Sequence, residues 1–228
     1  MIHITGDTHG DRGRFDKGVM HGEPQWGTDD ILMICGDFGY IFSGSDYERT
    51  FLDRLAEKPY TVCFCDGNHE NFPALNAFPE EWWNGGRVHR IRRNILHLER
   101  GQVFGIEDKS FFVMGGAYSP DRAMRREGIS WWREELPDAQ AYSEAWRNLD
   151  AVGNSVDYIV THTAPAAVVR AFACVSPDLD APGAELGGFL DDVMRRVRFR
   201  RWYFGHWHTD REVRGRFRAL WYDVEDIE

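Results

Sequence analysis

Residues 31–70 read ILMICGDFGYIFSGSDYERTFLDRLAEKPYTVCFCDGNHE. Two apolar runs, ILMIC (31–35) and TVCFC (61–65), bracket a segment in which Phe51, Leu52 and Leu55 form the apolar stripe of a helix. Runs that are apolar at every position, not at alternate ones, are expected of strands buried on both faces. Upstream, MIHIT (1–5) supplies another strand, and DRGRFDKGVMHG (11–22) after it reads as helical. The opening of the chain is therefore β-α-β-α-β, which predicts a parallel sheet with sites at the carboxyl ends of its strands.

Downstream the character changes. GGRVHRI (85–91), NILHLE (94–99), GQVFGIE (101–107) and KSFFVMGGA (109–117) are short runs between turn residues and read as antiparallel strands. DAQAYSEAWRNLDAVG (138–153) is a helix ended by Gly153, VDYIVTH (156–162) a strand, and GAELGGFLDDVMRRV (183–197) a helix despite its glycines. RRWYFGHWHTDREV (200–213) and RFRALWYDV (216–224) read as closing strands. No repeat, low-complexity tract or linker divides residues 1–228, so one domain containing two sheets is expected.

A formal net charge of -10 argues against a surface built to hold nucleic acid by its phosphates. It leaves a phosphorylated substrate open, because bound metal ions invert the local field. Cys35, Cys63, Cys65 and Cys174 form no CxxC pair, the first strand leaves no room for a secretion signal, and no apolar run is long enough to span a bilayer. The expectation is a soluble cytoplasmic protein without a membrane partner.

Most strand-like runs end in a polar cluster. MIHIT leads into Asp7 and His9, ILMIC into Gly36 and Asp37, and TVCFC into Gly67, Asn68, His69 and Glu70. DYIVT leads into His162, and RRWYF into Gly205, His206 and His208. If the strands continue regularly, Asp7 and His9 share a face, as do His206 and His208. Carboxylates and imidazoles converging on one sheet edge point to divalent metal ions. Each string alone has a plainer reading: GDTHG as a turn, and GNHE as a loop feeding a helix with Glu70 in its first turn. The ordered set, each member behind a strand-like run, does not.

Taken together, Asp7-Thr8-His9, Gly36-Asp37, Gly67-Asn68-His69-Glu70, His162 in THTAP and Gly205-His206-Trp207-His208 resemble the calcineurin-like metallophosphoesterases, whose pattern is DxH, GD, GNH[DE], H and GHxH. The resemblance spans nearly the whole chain. It implies a four-layer α/β/β/α sandwich of two mixed β-sheets and a centre of two divalent ions. Asp7, His9 and His208 would hold one ion and Asn68, His162 and His206 the other, with Asp37 bridging them and His69 facing the substrate. Manganese is the favoured metal; Fe, Zn, Ni, Co or Mg would also suit this donor mix. The implied reaction is hydrolysis of a phosphoric ester by a bridging hydroxide, with His69 assisting the leaving group. Only Asp7 and Asp37 are anionic among these ligands, so two divalent ions would keep an excess of positive charge that attracts a phosphoryl group.

Relatives that act on phosphoserine and phosphothreonine carry GDxxDRG. Here the string is GDFGYIF, with Tyr40 in place of the second aspartate, which disfavours a protein phosphatase. Asp66, Glu70 or a backbone carbonyl is left to orient His69. Monoester, diester and nucleotide substrates stay open. A non-catalytic scaffold of the same fold that binds a protein partner is disfavoured by the complete ligand set. The absence of HExxH, HxHxDH, GxSxG and Walker-type strings argues against other hydrolase classes. Arg122 and Arg125 are candidate substrate contacts. Arg87, Arg90, Arg92 and Arg93 read as a charged strand edge, His3 as a satisfied core or edge residue, and the pairs Trp82-Trp83 and Trp131-Trp132 as core or cap packing.

Overall fold

The computed structural model describes residues 1–173 and 183–227; Cys174 lies outside them. Its strands are β1 (Ile2–Thr5), β2 (Ile31–Ile34), β3 (Thr61–Phe64), β4 (Glu80–Trp83), β5 (Gly86–Arg92), β6 (Ile95–Leu98), β7 (Gln102–Ile106), β8 (Lys109–Met114), β9 (Tyr158–Thr161), β10 (Arg201–Phe204), β11 (Arg211–Val213), β12 (Phe217–Ala219) and β13 (Val224–Ile227). Its helices are α1 (Asp46–Leu55), α2 (Phe72–Leu75), α3 (Ala139–Ala151), α4 (Ala166–Ala173) and α5 (Ala184–Arg196). A seven-stranded sheet has the order β13-β1-β2-β3-β6-β5-β4, and a six-stranded sheet the order β11-β12-β10-β9-β8-β7.

Both sheets are mixed. In the first, β1, β2, β3 and β6 are parallel, with Ile4 opposite Met33 and Met33 opposite Cys63. In the second, β8, β9, β10 and β12 are parallel. The alternation of side chains along each strand explains why the central runs are apolar throughout. Met33, Cys35, Cys63 and Cys65 face Phe111, Val113, Val160 and Tyr203 of the other sheet in a shared core. Leu32, Ile34, Val62 and Phe64 pack against Phe51, Leu52 and Leu55 of α1. On the outside of the second sheet, Phe112, Ile159, Trp202 and Phe204 meet Leu149 of α3, Val168 of α4 and Phe189, Leu190 and Val193 of α5. The order helix, sheet, sheet, helix is the four-layer α/β/β/α sandwich expected.

Local chemistry sets the helix ends. Ser45 caps α1 by accepting from the Glu48 N–H, and the Glu48 carboxylate accepts from the N–H groups of Ser43 and Gly44 at 2.8 and 2.7 Å. Asp138 caps α3 through the Ala141 N–H at 2.8 Å.

One expectation fails here. Residues 11–22 form no α-helix: the segment holds a 3-10 turn at Arg12–Phe15, another follows at Glu23–Gln25, and Gly18 and Gly22 take positive φ of 83° and 78°. Three glycines in this stretch make a helix costly, so β1 and β2 are joined by loop. The middle strands pair antiparallel as expected, β4-β5-β6 and β7-β8, and they divide between the two sheets, β6 joining β3 and β8 joining β9 in parallel. Cys35, Cys63 and Cys65 are buried and free. Among the described residues, no helix is long and apolar enough to cross a membrane.

Candidate metal centre

The parallel strands β1, β2, β3, β9 and β10 deliver their carboxyl ends to one edge of the sandwich, and the segments that follow them carry the polar residues. The strands do not continue regularly. Of the non-glycine residues with positive φ, His9 (47°), Asp37 (45°), His206 (65°) and His208 (45°) belong to this cluster. The left-handed backbone costs such residues energy and persists where surrounding contacts over-determine it. Tight turns, not the two-residue repeat of a strand, therefore aim Asp7 and His9, and His206 and His208, at a common point.

Asp37 lies at the middle. Its Oδ2 is 3.6 Å from His9 Nε2 and 3.5 Å from His162 Nε2, while Oδ1 accepts from the His69 N–H at 2.7 Å. Its backbone carbonyl accepts from the N–H groups of Thr8 and His9, at 3.1 and 2.7 Å. Asp7 Oδ2 is 3.2 Å from His208 Nε2 and 3.6 Å from His9 Nε2, and both its oxygens accept from the His206 N–H at 3.0 Å. His162 donates Nδ1–H to the Cys35 carbonyl at 2.9 Å, which turns Nε2 toward Asp37 and toward Asn68 Oδ1, 3.0 Å away. His206 packs its ring against His162 with centroids 5.0 Å apart.

The glycines of GD and GN are required by close approach. A Cβ on Gly67 would overlap Asp37 Oδ1 and the Asp37 backbone nitrogen, and one on Gly36, at φ +93°, would stand 2.8 Å from His162 Cβ. Glycine lets these backbones pass without displacing Asp37 or His162.

Asp7, Asp37 and His162 are almost wholly buried. Burial would raise both carboxyls, but His162 and the neighbouring imidazoles outweigh it and hold Asp7 and Asp37 below the ordinary range. Burial would lower His162, yet Asp37 and Asp7 raise it to about 10. His206, pushed down by burial and by His162, lies at about 4. A buried imidazolium between two carboxylates does electrostatically what a cation would do there.

The donor set fits divalent ions. Single donor atoms from Asp7, His9 and His208, from Asp7, Asp37 and His162, and from His9, Asp37 and His69 lie within 4.8 Å of one another in each group. The Nε2 atoms of His9 and His208 are only 2.8 Å apart, so one of them must point a lone pair into the space both face. Carboxylate oxygens and imidazole nitrogens in this mixture suit first-row transition metals.

A family model, calcineurin-like phosphoesterase, matches residues 1–210. The chain belongs to the calcineurin-like phosphoesterase family. Among curated proteins, none matches it in sequence. The members of this family are in general phosphoesterase hydrolases that bind divalent metals, and this chain is a family member with candidate metal-binding groups gathered at one sheet edge.

The surroundings of His69 differ from the sequence expectation. Neither Asp66 nor Glu70 orients it. Asp66 accepts from Arg100 Nε at 2.8 Å and faces His97 Nε2 at 3.2 Å. Glu70 is not in a helix: it is fully buried and accepts from the Phe38 N–H at 2.7 Å. The His69 ring instead receives Arg125 Nη2, and Arg125 Nε pairs with Asp121 Oδ2 at 2.9 Å. Burial lowers His69, and Arg125 adds to that against the pull of Asp37. Tyr40 is core: its hydroxyl donates to the Asp11 carbonyl and its ring stacks on Phe51 at 4.5 Å.

Arg122 is not brought to the cluster. It pairs with Glu135 Oε1 at 2.8 Å and lies over the Trp131 ring at 4.1 Å. His3 is satisfied as expected, stacked on Trp26 at 4.1 Å with Nδ1 2.6 Å from Asp226. Trp132 is buried, whereas Trp82 is 72% exposed, so not every tryptophan serves packing. Ser119 and Glu135 escaped the sequence reading altogether. Ser119 accepts from Asn68 and donates to Glu135, in a loop with no motif to flag it.

Proposed function

We propose that this chain is a metal-dependent hydrolase of phosphoric esters with a dinuclear centre. Asp7, His9 and His208 would hold one cation, Asn68, His162 and His206 the other, and Asp37 both. The single observation that carries this reading is the placement of Asp37 Oδ2 between His9 Nε2 and His162 Nε2, at 3.6 and 3.5 Å. A carboxylate oxygen flanked by one imidazole from each set is what a shared ligand requires. When bound, the cations would supply positive charge to the phosphoryl oxygens and acidify water. Manganese is the first metal to test.

The chain's own groups account for the rest. His69, lowered by burial and by Arg125, has a ring N–H suited to hydrogen-bond a departing oxygen and steady the charge that develops there. Arg125 contacts His69 through Nη2, while its Nη1 is buried with no hydrogen-bond partner among the described residues, a donor suited to a phosphoryl oxygen. Beside His206 and His208 opens a cavity of about 430 Å³ walled by Tyr118, Pro120, Val169, Leu186 and Trp207. Its size and apolar walls favour a small or nucleotide-like ester, monoester or diester, over a protein substrate. The burial of Tyr40 among aromatic rings supports the same preference.

The test is direct. Protein stripped with a chelator should lose hydrolysis of p-nitrophenyl phosphate and bis-p-nitrophenyl phosphate, and Mn²⁺ should restore it. Undiminished hydrolysis by stripped protein would remove the metal-dependent reading. His69→Ala should cut turnover with metal content unchanged; loss of an ion would make His69 a ligand instead.

A further inference from the structure

The side-chain amide of Asn68 has two ends of opposite chemistry. Its oxygen is a cation ligand and its NH₂ is not, and half a turn about χ2 exchanges them. Nothing in the GNH string decides which end faces the metals. Asn68 is 1% exposed, and its Nδ2 donates to Ser119 Oγ at 3.1 Å. Ser119, itself fully buried, gives its backbone N–H to Glu135 Oε1 and its hydroxyl proton to Glu135 Oε2, each at 2.8 Å. The one hydroxyl proton is thus committed to a carboxylate, and Ser119 can offer Asn68 only a lone pair. Glu135 is fully buried and is kept in place by Arg122, whose Nη2 is 2.8 Å from Oε1 and whose guanidinium stacks over Trp131 and Tyr118.

We propose that Ser119, Glu135 and Arg122 are positioning residues that set the polarity of the Asn68 amide, presenting its Oδ1 to the cation site. This rests on the dinuclear reading above. A reversed amide would set two acceptors, Asn68 Oδ1 and Ser119 Oγ, face to face in a dry site, which is costly. It would also turn the NH₂ toward His162 Nε2. The same loop closes on itself through the Ala117 N–H and the Glu135 carbonyl at 3.1 Å, and it carries Arg125 to His69. Arg122, which the sequence alone suggests as a substrate contact, is thereby spent on the metal side chain.

The experiment is a Mn²⁺ titration against a chromophoric chelator, which reads affinity without turnover. Ser119→Ala should weaken one of the two ions by about 10–100-fold, the usual cost of losing such an outer partner, and leave the other unchanged. Glu135→Gln preserves volume but frees the serine proton to point at Asn68, and it should weaken the same ion. Ser119→Thr retains the hydroxyl and should bind that ion better than Ser119→Ala.

The deciding arm uses Asn68→Asp, whose two oxygens are equivalent. In that background Ser119→Ala should weaken neither ion, because no amide is left to orient. An equal loss in both backgrounds would make the loop a mere support and overturn the proposal, as would wild-type affinities in both Ser119→Ala and Glu135→Gln. If Ser119→Ala does not fold, Glu135→Gln in the two backgrounds carries the same test. A wild-type protein that binds no Mn²⁺ would instead sink the functional reading.

Discussion

Gly67→Ala isolates the packing around Asp37 from any loss of a ligand. The added methyl would overlap Asp37 Oδ1 and N and stand 2.7 Å from Cγ, where ordinary contact begins at 3.4 Å. The carboxylate must therefore retreat by about 0.7 Å or more, a scale at which a misplaced reacting group costs about 100-fold. It has no easy retreat, because Oδ1 holds the His69 N–H and the Asp37 carbonyl holds those of Thr8 and His9. Relief must come from the backbone turn, at a folding cost of about 1–3 kcal/mol typical of overpacking. Gly67→Ala should thus fold, melt lower, bind both ions more weakly and lose about 100-fold in turnover of p-nitrophenyl phosphate. Metal content by mass spectrometry and steady-state kinetics on the same preparation would read it. Two tightly held ions with turnover within about threefold of wild type would refute the reasoning.

Three other outcomes follow from the same coordinates. Arg14 is 2% exposed and donates to the Asp7 carbonyl, Thr5 Oγ1 and the Trp221 carbonyl at 2.9–3.0 Å, so Arg14→Met should cost about 2–4 kcal/mol in urea unfolding; a loss under about 1 kcal/mol would contradict this. Gly188 lies within α5 with open space around it, so Gly188→Ala should stabilise by about 1 kcal/mol, and a lowered melting temperature would count against the helix there. His162 rises from 6.5 to about 10 in the folded chain, because Asp37 and Asp7 outweigh its burial, so its stabilisation is full below pH 6.5 and is lost as pH climbs through about 10. Chelated protein should therefore lose melting temperature over that window more steeply than Mn²⁺-loaded protein, and parallel slopes would overturn the assignment.

The chain makes much of this visible because β1, β2 and β3 are buried on both faces and each runs straight into its polar cluster. The two-residue spacing of Asp7 and His9 singles out side chains that do gather, but positive φ at His9 and His208, not strand pleating, aims them. Glu70 illustrates what composition cannot reveal. A carboxylate after GNH resembles a helix start, and only the fold discloses the buried Phe38 and Gly39 N–H groups that it satisfies. The division of the middle strands between two sheets is equally hidden, because β6 beside β3 and β8 beside β9 are pairings made far apart in the chain. Ser119 and Glu135 had no signal at all: their importance arises from one hydroxyl proton.

The most direct measurement is anomalous diffraction at the manganese edge from crystals grown with Mn²⁺. A dinuclear centre requires two peaks flanking Asp37, one against Asp7, His9 and His208 and the other against Asn68, His162 and His206. A single peak, or peaks away from Asp37, would contradict it.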